Sequence, residues 1–306
     1  TFCNEYVMYP EAFPIHYIEP VFRPPSEARS LILPVTNGCS WNQCTFCEMY
    51  TAPQKKFRPR TQDEIEADLR NVAARGVPVR RIFMADGDAV ALSTRRLMAV
   101  LNAIHTHLPD VQRVSAYCLP RNVRHKSVEE LKELRDAGLR MVYVGCESGD
   151  DEVLRRVNKG ESYDSSRDAL NKLGAAEITR SVMILNGLGG TELSAQHAIH
   201  SAQLMNDTQP EFLSTLVVSF PMGMERFKAH FPNYELPDTT GLMQELGLMI
   251  AQLNLNDTVF RSDHASNYLV LKGTLGRDKE RLLAQIHQAV AHPERANLRA
   301  EWMRGL

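Results

Sequence analysis

Residues 30–47 read SLILPVTNGCSWNQCTFC, and the fold follows from this stretch. A short apolar run from Ser30 to Val35 passes through Thr36, Asn37 and Gly38 into three cysteines. The run has the length and the aliphatic content of a buried strand. Cys39, Cys44 and Cys47 follow it, separated by four and two residues. A strand that ends in a thiol-rich loop places reactive groups at its carboxyl end, where α/β proteins keep their ligand sites.

The same pattern recurs downstream. RIFMA (81–85), VSAYCL (114–119), MVYVG (141–145), SVMIL (181–185) and STLVVSF (214–220) are again short and apolar. Amphipathic segments separate them. Thr61 with Glu64, and Ser127 with Glu130, form capping-box signals ahead of Ile65, Leu69 and Val72 and of Leu131 and Leu134. Gly138 stands where a helix-terminating glycine belongs. Segments 94–108, 150–157, 163–173 and 194–206 also read as helices. Six strand–helix units predict parallel strands with crossover helices. They are too few for a full eight-stranded barrel, so the expectation is an α/β fold over 30–220 that closes part of a barrel or forms an open doubly wound sheet. A segment 1–29 precedes it. A mainly helical C-terminal extension, 221–306, surrounds one polar loop and is expected to cover the barrel mouth.

Composition narrows the function. The 306 residues are 43% hydrophobic and carry a formal net charge of −2, which gives no general pull toward nucleic acid. No run of about 18 apolar residues offers a membrane span. The opening TFCNEYVMYPEAF lacks a basic start and an apolar core, so no secretory signal is expected. Six cysteines, at 3, 39, 44, 47, 118 and 146, fit a reducing cytoplasm with a metal site better than a disulfide framework.

Three thiolates on one loop suit a soft metal or an iron–sulfur cluster. A structural zinc site asks for a fourth ligand, which only Cys3 or a distant histidine would supply. An electron-transfer cluster normally uses four cysteines. A [4Fe-4S] cluster on three cysteines leaves one iron open to a small molecule. Cys118 and Cys146 fall on strand positions and read as buried thiols.

With Cys44-Thr45-Phe46-Cys47 closing the loop, the chain resembles the radical SAM superfamily. That family most often has three residues between its first two cysteines, where this chain has four. The resemblance covers roughly residues 30–220 and implies that this stretch forms a partial (β/α)6 TIM-like barrel. It implies an oxygen-sensitive [4Fe-4S] cluster on Cys39, Cys44 and Cys47, with S-adenosyl-L-methionine bound to the open iron and cleaved reductively to a 5′-deoxyadenosyl radical. It also implies a low-potential donor such as flavodoxin or ferredoxin. By the same resemblance Phe46 packs near the adenine, and Asp86, Gly87 and Asp88 meet the methionine amino group, with the choice between the aspartates open. The segment VGCESGDDEVLRRVNKG (144–160) is similar to one in oxygen-independent coproporphyrinogen oxidases and methylthiotransferases. It implies Glu147 at the ribose and Lys159 at the methionine carboxylate. Gly187 and Leu188 would let the adenine approach the backbone. The polar residue expected on the fifth strand aligns with Met183, and Arg180 and Ser181 are the candidates to replace it.

The substrate is expected at the barrel mouth. RSDHASNYLVLKGTLGRDKERLL (261–283) gathers Ser262, His264, Ser266, Asn267 and Tyr268. His264 and Tyr268 are the expected catalytic residues there, with Ser262 and Asn267 as substrate contacts. Tyr6, Tyr9 and Tyr17 with Arg23 are candidates for a lid. A small-molecule substrate is the first reading. An RNA- or protein-modifying enzyme and a non-catalytic iron–sulfur redox module are the alternatives.

Overall fold

Eight strands form one sheet in the computed structural model, whose described residues are 14–304. They are β1 (Leu31–Pro34), β2 (Arg81–Ala85), β3 (Arg113–Cys118), β4 (Leu139–Glu147), β5 (Thr179–Asn186), β6 (Phe212–Val217), β7 (Thr258–Ser262) and β8 (Leu271–Leu275). Each strand lies beside its sequence neighbour. The first seven pair in parallel, and β8 returns antiparallel to β7.

Parallel neighbours require crossovers, and helices supply them. These are α1 (Gln62–Ala73), α2 (Thr94–His107), α3 (Val128–Asp136), α4 (Tyr163–Ala175), α5 (Gly190–Thr208) and α6 (Thr239–Gln252), with α7 (Lys279–Ala291) after β8. Both expected capping boxes form. Glu64 N donates to Thr61 Oγ1 at 3.2 Å while Thr61 N donates to Glu64 at 2.7 Å. The Ser127–Glu130 pair repeats this at 3.1 and 2.8 Å. Gly138, just past α3, has φ +114°, which glycine adopts without steric cost.

Strand alternation divides the sheet's two faces. Leu33, Ile82, Val114, Val142, Val182 and Leu213 are buried against Leu69, Leu97, Leu134 and Leu170 of the helices. Each such side chain contributes about 1.5–3 kcal/mol on burial. Phe83, Tyr117 and Tyr143 alternate with that set and pack edge to face, with ring centroids 5.0 Å apart for the first pair and 6.2 Å for the second. The segment before β1 crosses this second face. Buried Glu27 accepts hydrogen bonds there from Tyr143 Oη at 2.6 Å and Arg113 at 2.8 Å. Of the residues expected to form a lid, Tyr17 donates to the Ile32 carbonyl at 2.8 Å on β1. Tyr6 and Tyr9 lie outside the described residues, as does Cys3.

The C-terminal extension keeps helices α6 and α7 but also prolongs the sheet by β7 and β8, which the sequence reading took for a polar loop between helices. The reason is local. TVFRS and LKGTL mix apolar and polar residues because they end the sheet, and Arg261 and Lys272 face solvent. Neither stretch makes the continuous apolar run that marks a strand covered on both faces. Among the described residues no helix is long and apolar enough to cross a membrane.

Candidate cofactor site

The cysteine loop leaves β1 and is held against the end of β2 by two glycines. Gly38 has φ +69°, and a Cβ on it would lie 2.1 Å from the Lys55 carbonyl oxygen. A Cβ on Gly87, at φ +46°, would lie 2.1 Å from the Gly38 carbonyl oxygen. Only glycine permits both the backbone angle and the approach. Asp88 braces the loop from below. It accepts from Ser40 N at 2.7 Å, from Asn122 Nδ2 at 2.9 Å and from the Ser40 hydroxyl. On the other side Trp41 Nε1 donates to the Asn158 carbonyl at 2.9 Å and Thr45 N to the Val157 carbonyl at 3.0 Å. Arg226 reaches the Cys47 carbonyl at 2.8 Å.

Cys39, Cys44 and Cys47 are free thiols. Burial pushes all three up, Cys47 to about 11. Cys44 adds to the upward push on Cys39 and Cys47, while the Lys159 ammonium opposes it at Cys44 and Cys47. Lys159 is thus the cation that acts on two of the three thiols, Cys44 and Cys47. Among the described residues no three His, Cys, Asp or Glu side chains stand close enough to hold a single ion. A four-iron cube asks for something wider, with one thiolate at each of three corners.

At the end of β4 lies Glu147, a non-glycine residue with φ +65°. Such a conformation costs about 1 kcal/mol or more and is kept only where its surroundings enforce it. Lys159 Nζ donates to Glu147 Oε1 at 3.1 Å, and both side chains are almost wholly buried. Glu147 Oε2 has no hydrogen-bond partner. A Cβ on Gly145 would lie 2.2 Å from Glu147 Oε1, so this glycine makes room for the carboxylate. Burial works against the charge on Lys159, but Glu147 and Cys44 outweigh it and hold the ammonium raised above the ordinary lysine range. Its Nζ stands 5.9 Å from the centre of the Phe46 ring.

The two aspartates after β2 differ. Asp88 is used up by Ser40 and Asn122, whereas buried Asp86 faces the Lys55 ammonium as an ion pair. No hydrogen bond of good geometry reaches either Asp86 oxygen. Asp86 and Glu147 are thus two buried carboxylates with acceptor capacity to spare, in a structure that otherwise satisfies most of its buried polar atoms. That capacity, the three thiols and the Lys159 ammonium fit a cluster carrying a zwitterionic ligand.

Other expected residues are placed differently. Gly187, with φ +85°, donates its N–H to Glu245 Oε1 at 2.6 Å and accepts from Tyr234 Oη at 2.8 Å. Leu188 is fully buried. A Cβ on Gly187 would meet Leu242 at 2.7 Å, so the room this glycine leaves is filled by α6. Arg180 lies at the amino end of β5, away from Glu147. It is bound to the Leu170 and Thr208 carbonyls and to Glu211, which corrects its reading as a substitute for the polar residue at Met183. Lys55, Ser148, His197 and Glu245 are buried polar residues that the sequence reading missed. They come from a polar turn and from helices whose patterns look ordinary.

The 262–268 loop lies at the carboxyl end of β7 and forms a cluster of its own. Asn267 ties β6 to β7, donating to the Thr215 carbonyl at 2.8 Å and to Ser262 Oγ at 3.1 Å and accepting from Val217 N at 2.9 Å. His264 Nδ1 faces Ser266 Oγ at 2.9 Å, and burial lowers its ring below the ordinary histidine range. Tyr268 Oη donates to Glu301 at 2.7 Å, and Arg304 stacks on its ring at 3.9 Å. No described hydrogen bond or ion pair joins these residues to the thiols, to Glu147 or to Lys159.

A sheet of consecutive parallel strands with three thiols after the first, and buried acids after the second and fourth, defines a partial-barrel protein built to carry a cluster and a ligand at its strand ends. The radical SAM superfamily model matches residues 33–202, and the chain belongs to that superfamily. Members use a [4Fe-4S] cluster and S-adenosylmethionine. The heme chaperone HemW of Bacillus subtilis (strain 168) is 24% identical over 206 residues, 63% of this chain and 53% of the relative. The 4′-phospho-dehydrooxetanocin synthase of Priestia megaterium is 22% identical over 165 residues, 49% of this chain and 22% of the relative. The chain therefore spans about half of the first relative's length and less of the second's. Among solved structures, coproporphyrinogen III oxidase (HemN) from Escherichia coli superposes with a TM-score of 0.57 at 17% identity, over 85% of this chain and 58% of that one. It shares the partial-barrel fold.

Proposed function

We propose that this chain is a radical SAM enzyme acting on a small-molecule substrate. When bound, the cluster supplies one electron to the sulfonium of S-adenosylmethionine, giving methionine and a 5′-deoxyadenosyl radical that abstracts hydrogen from substrate. Cys39, Cys44 and Cys47 would hold three irons. The observation that carries the reading is the buried Glu147 carboxylate at the strand end beside the thiol loop, paired through Oε1 with Lys159 and without a partner on Oε2. A second buried carboxylate, Asp86, is ion-paired to Lys55 and has no hydrogen bond on Oδ1. Asp86 is the group free to accept from the ligand's ammonium, since Asp88 is spent on Ser40 and Asn122. Glu147 Oε2 would accept from the ribose hydroxyls, Lys159 would meet the methionine carboxylate and Phe46 would pack on the adenine, while Gly187 and Leu188, backed by α6, would bound the adenine space as a fixed turn rather than open it. A low-potential donor such as flavodoxin or ferredoxin provides the electron.

The substrate space lies over the same strand ends, with the segment before β1 and residues 221–304 as its walls. His264 and Tyr268 remain the proposed groups at substrate, with Ser262 and Asn267 behind them. Tyr268 must give up Glu301 to act, so a Tyr268→Phe variant that turns over substrate at the parental rate removes it. The cytoplasm is the proposed compartment, since it keeps thiols reduced. One measurement tests the ligand site. Glu147→Ala should weaken S-adenosylmethionine binding to the reconstituted protein by about 1–3 kcal/mol, the cost of a lost charged hydrogen bond. Unchanged affinity by calorimetry would take Glu147 out of the ribose site.

A further inference from the structure

The turn that follows Glu147 is clamped by one face of α5. Gly149 N donates to Ser201 Oγ at 2.9 Å, and Asp150 accepts from Gln196 Nε2 at 3.0 Å and pairs with His200 Nδ1 at 2.6 Å. At the centre, Ser148 Oγ lies 2.7 Å from His197 Nδ1, and Asp150 N donates to the same Ser148 oxygen at 3.0 Å. The other ring nitrogen of His197 lies 3.0 Å from the Leu185 carbonyl oxygen. A carbonyl has no proton to give, so Nε2 donates to Leu185, while Nδ1 and the Ser148 hydroxyl share the second hydrogen bond of the ring. Hydrogen bonds thus run unbroken from Asp150 N–H to the Ser148 oxygen, on to His197, and from His197 N–H to Leu185.

His197 thus joins two loops that share no covalent connection shorter than a helix. One holds Glu147 in its left-handed conformation. The other, Asn186-Gly187-Leu188, begins one residue after Leu185. Glu245 of α6 backs the second loop, with Oε1 on Gly187 N at 2.6 Å and 3.8 Å from His197 Nε2, and Oε2 on Ser194 Oγ at 2.5 Å. Ser148, His197 and Glu245 are all buried. Packing alone does not require a buried polar chain, which is stabilising only when every member is satisfied. Here its two ends fall on the backbone flanking the two loops assigned to the ligand.

We propose that His197 is a positioning residue for S-adenosylmethionine. Through Ser148 it holds the Glu147 turn, and through Leu185 it holds the Gly187 loop, so the ribose and adenine contacts are set as one unit. The proposal rests on the functional reading given above. Its test uses the reconstituted holoprotein and three measurements: S-adenosylmethionine affinity by anaerobic calorimetry, iron content, and backbone hydrogen exchange. His197→Ala should retain its iron, weaken binding about tenfold or more, and raise exchange at both 147–150 and 185–188. His197→Asn retains an acceptor for Ser148 and His197→Gln a donor for Leu185, so each should protect one of the two segments. In a Glu147→Gln background His197→Ala should cost less than it does alone, because the two act through one contact. Affinity losses that simply add, or faster exchange in only one segment for His197→Ala, would overturn the proposal while leaving the enzyme reading intact. Failure of the parental holoprotein to bind S-adenosylmethionine would overturn both.

Discussion

Lys159 is a buried ammonium acting on Cys44 and Cys47, and its partner Glu147 is almost as buried. A charge in such a place is tolerable only when paired, so removing one partner leaves the other stranded. Lys159→Met keeps most of the volume and should lower the unfolding free energy of the protein without cluster by about 3 kcal/mol or more. Adding Glu147→Gln to that variant should recover much of the loss. Denaturant titration of the three variants checks this, and a Lys159→Met variant as stable as the parent would show that the pair is not electrostatically coupled. At this scale the sequence was informative where chemistry and position coincide. Cys39, Cys44, Cys47, Glu147 and Lys159 stand at strand ends or in the short segment after one. Lys55, His197 and Glu245 were not legible, because their partners Asp86, Ser148 and Gly187 lie 31, 49 and 58 residues away. No local spacing marks such a pair.

Among the elements, the short helix Asp151–Arg156 between β4 and α4 bears most directly on the site, since Lys159 follows it. Asp150 caps it, accepting from Val153 N at 2.9 Å. Burial alone would raise the Asp150 carboxyl, but its bonds from Val153, Gln196 and His200 outweigh burial and hold it below the usual carboxylate range. A lowered carboxyl stabilises the fold above the unfolded-state value, about 3.9, and that contribution is lost as the pH falls through the folded-state value. Asp150→Ala should therefore cost about 1–2 kcal/mol at pH 7, with the gap to the parent narrowing below about pH 4. Urea unfolding at several pH values measures the gap, and a gap independent of pH would contradict this account. Most elements were readable because their signals are local. The capping boxes at Thr61 and Ser127 and the apolar runs of β2 through β6 depend only on neighbours a few residues away. β7 and β8 escaped because they close the sheet with one solvent-facing side, while α5 was read from residue 194 rather than from Gly190, where no side-chain cap marks its start.

For the whole molecule, the sheet gathers thiols, acids and an ammonium from β1, β2, β4 and the segment before α4 at one end, and the helices bury the other face. The most direct test is anaerobic reconstitution followed by reduction with dithionite or a flavodoxin system in the presence of S-adenosylmethionine. The account predicts about four irons and four sulfides per chain, with 5′-deoxyadenosine and methionine released in equal amounts. It also predicts loss of iron and of both products when Cys39, Cys44 or Cys47 is replaced by alanine. One equivalent of zinc without iron uptake would contradict the site, and a fully loaded, reducible cluster that forms no 5′-deoxyadenosine would contradict the enzyme.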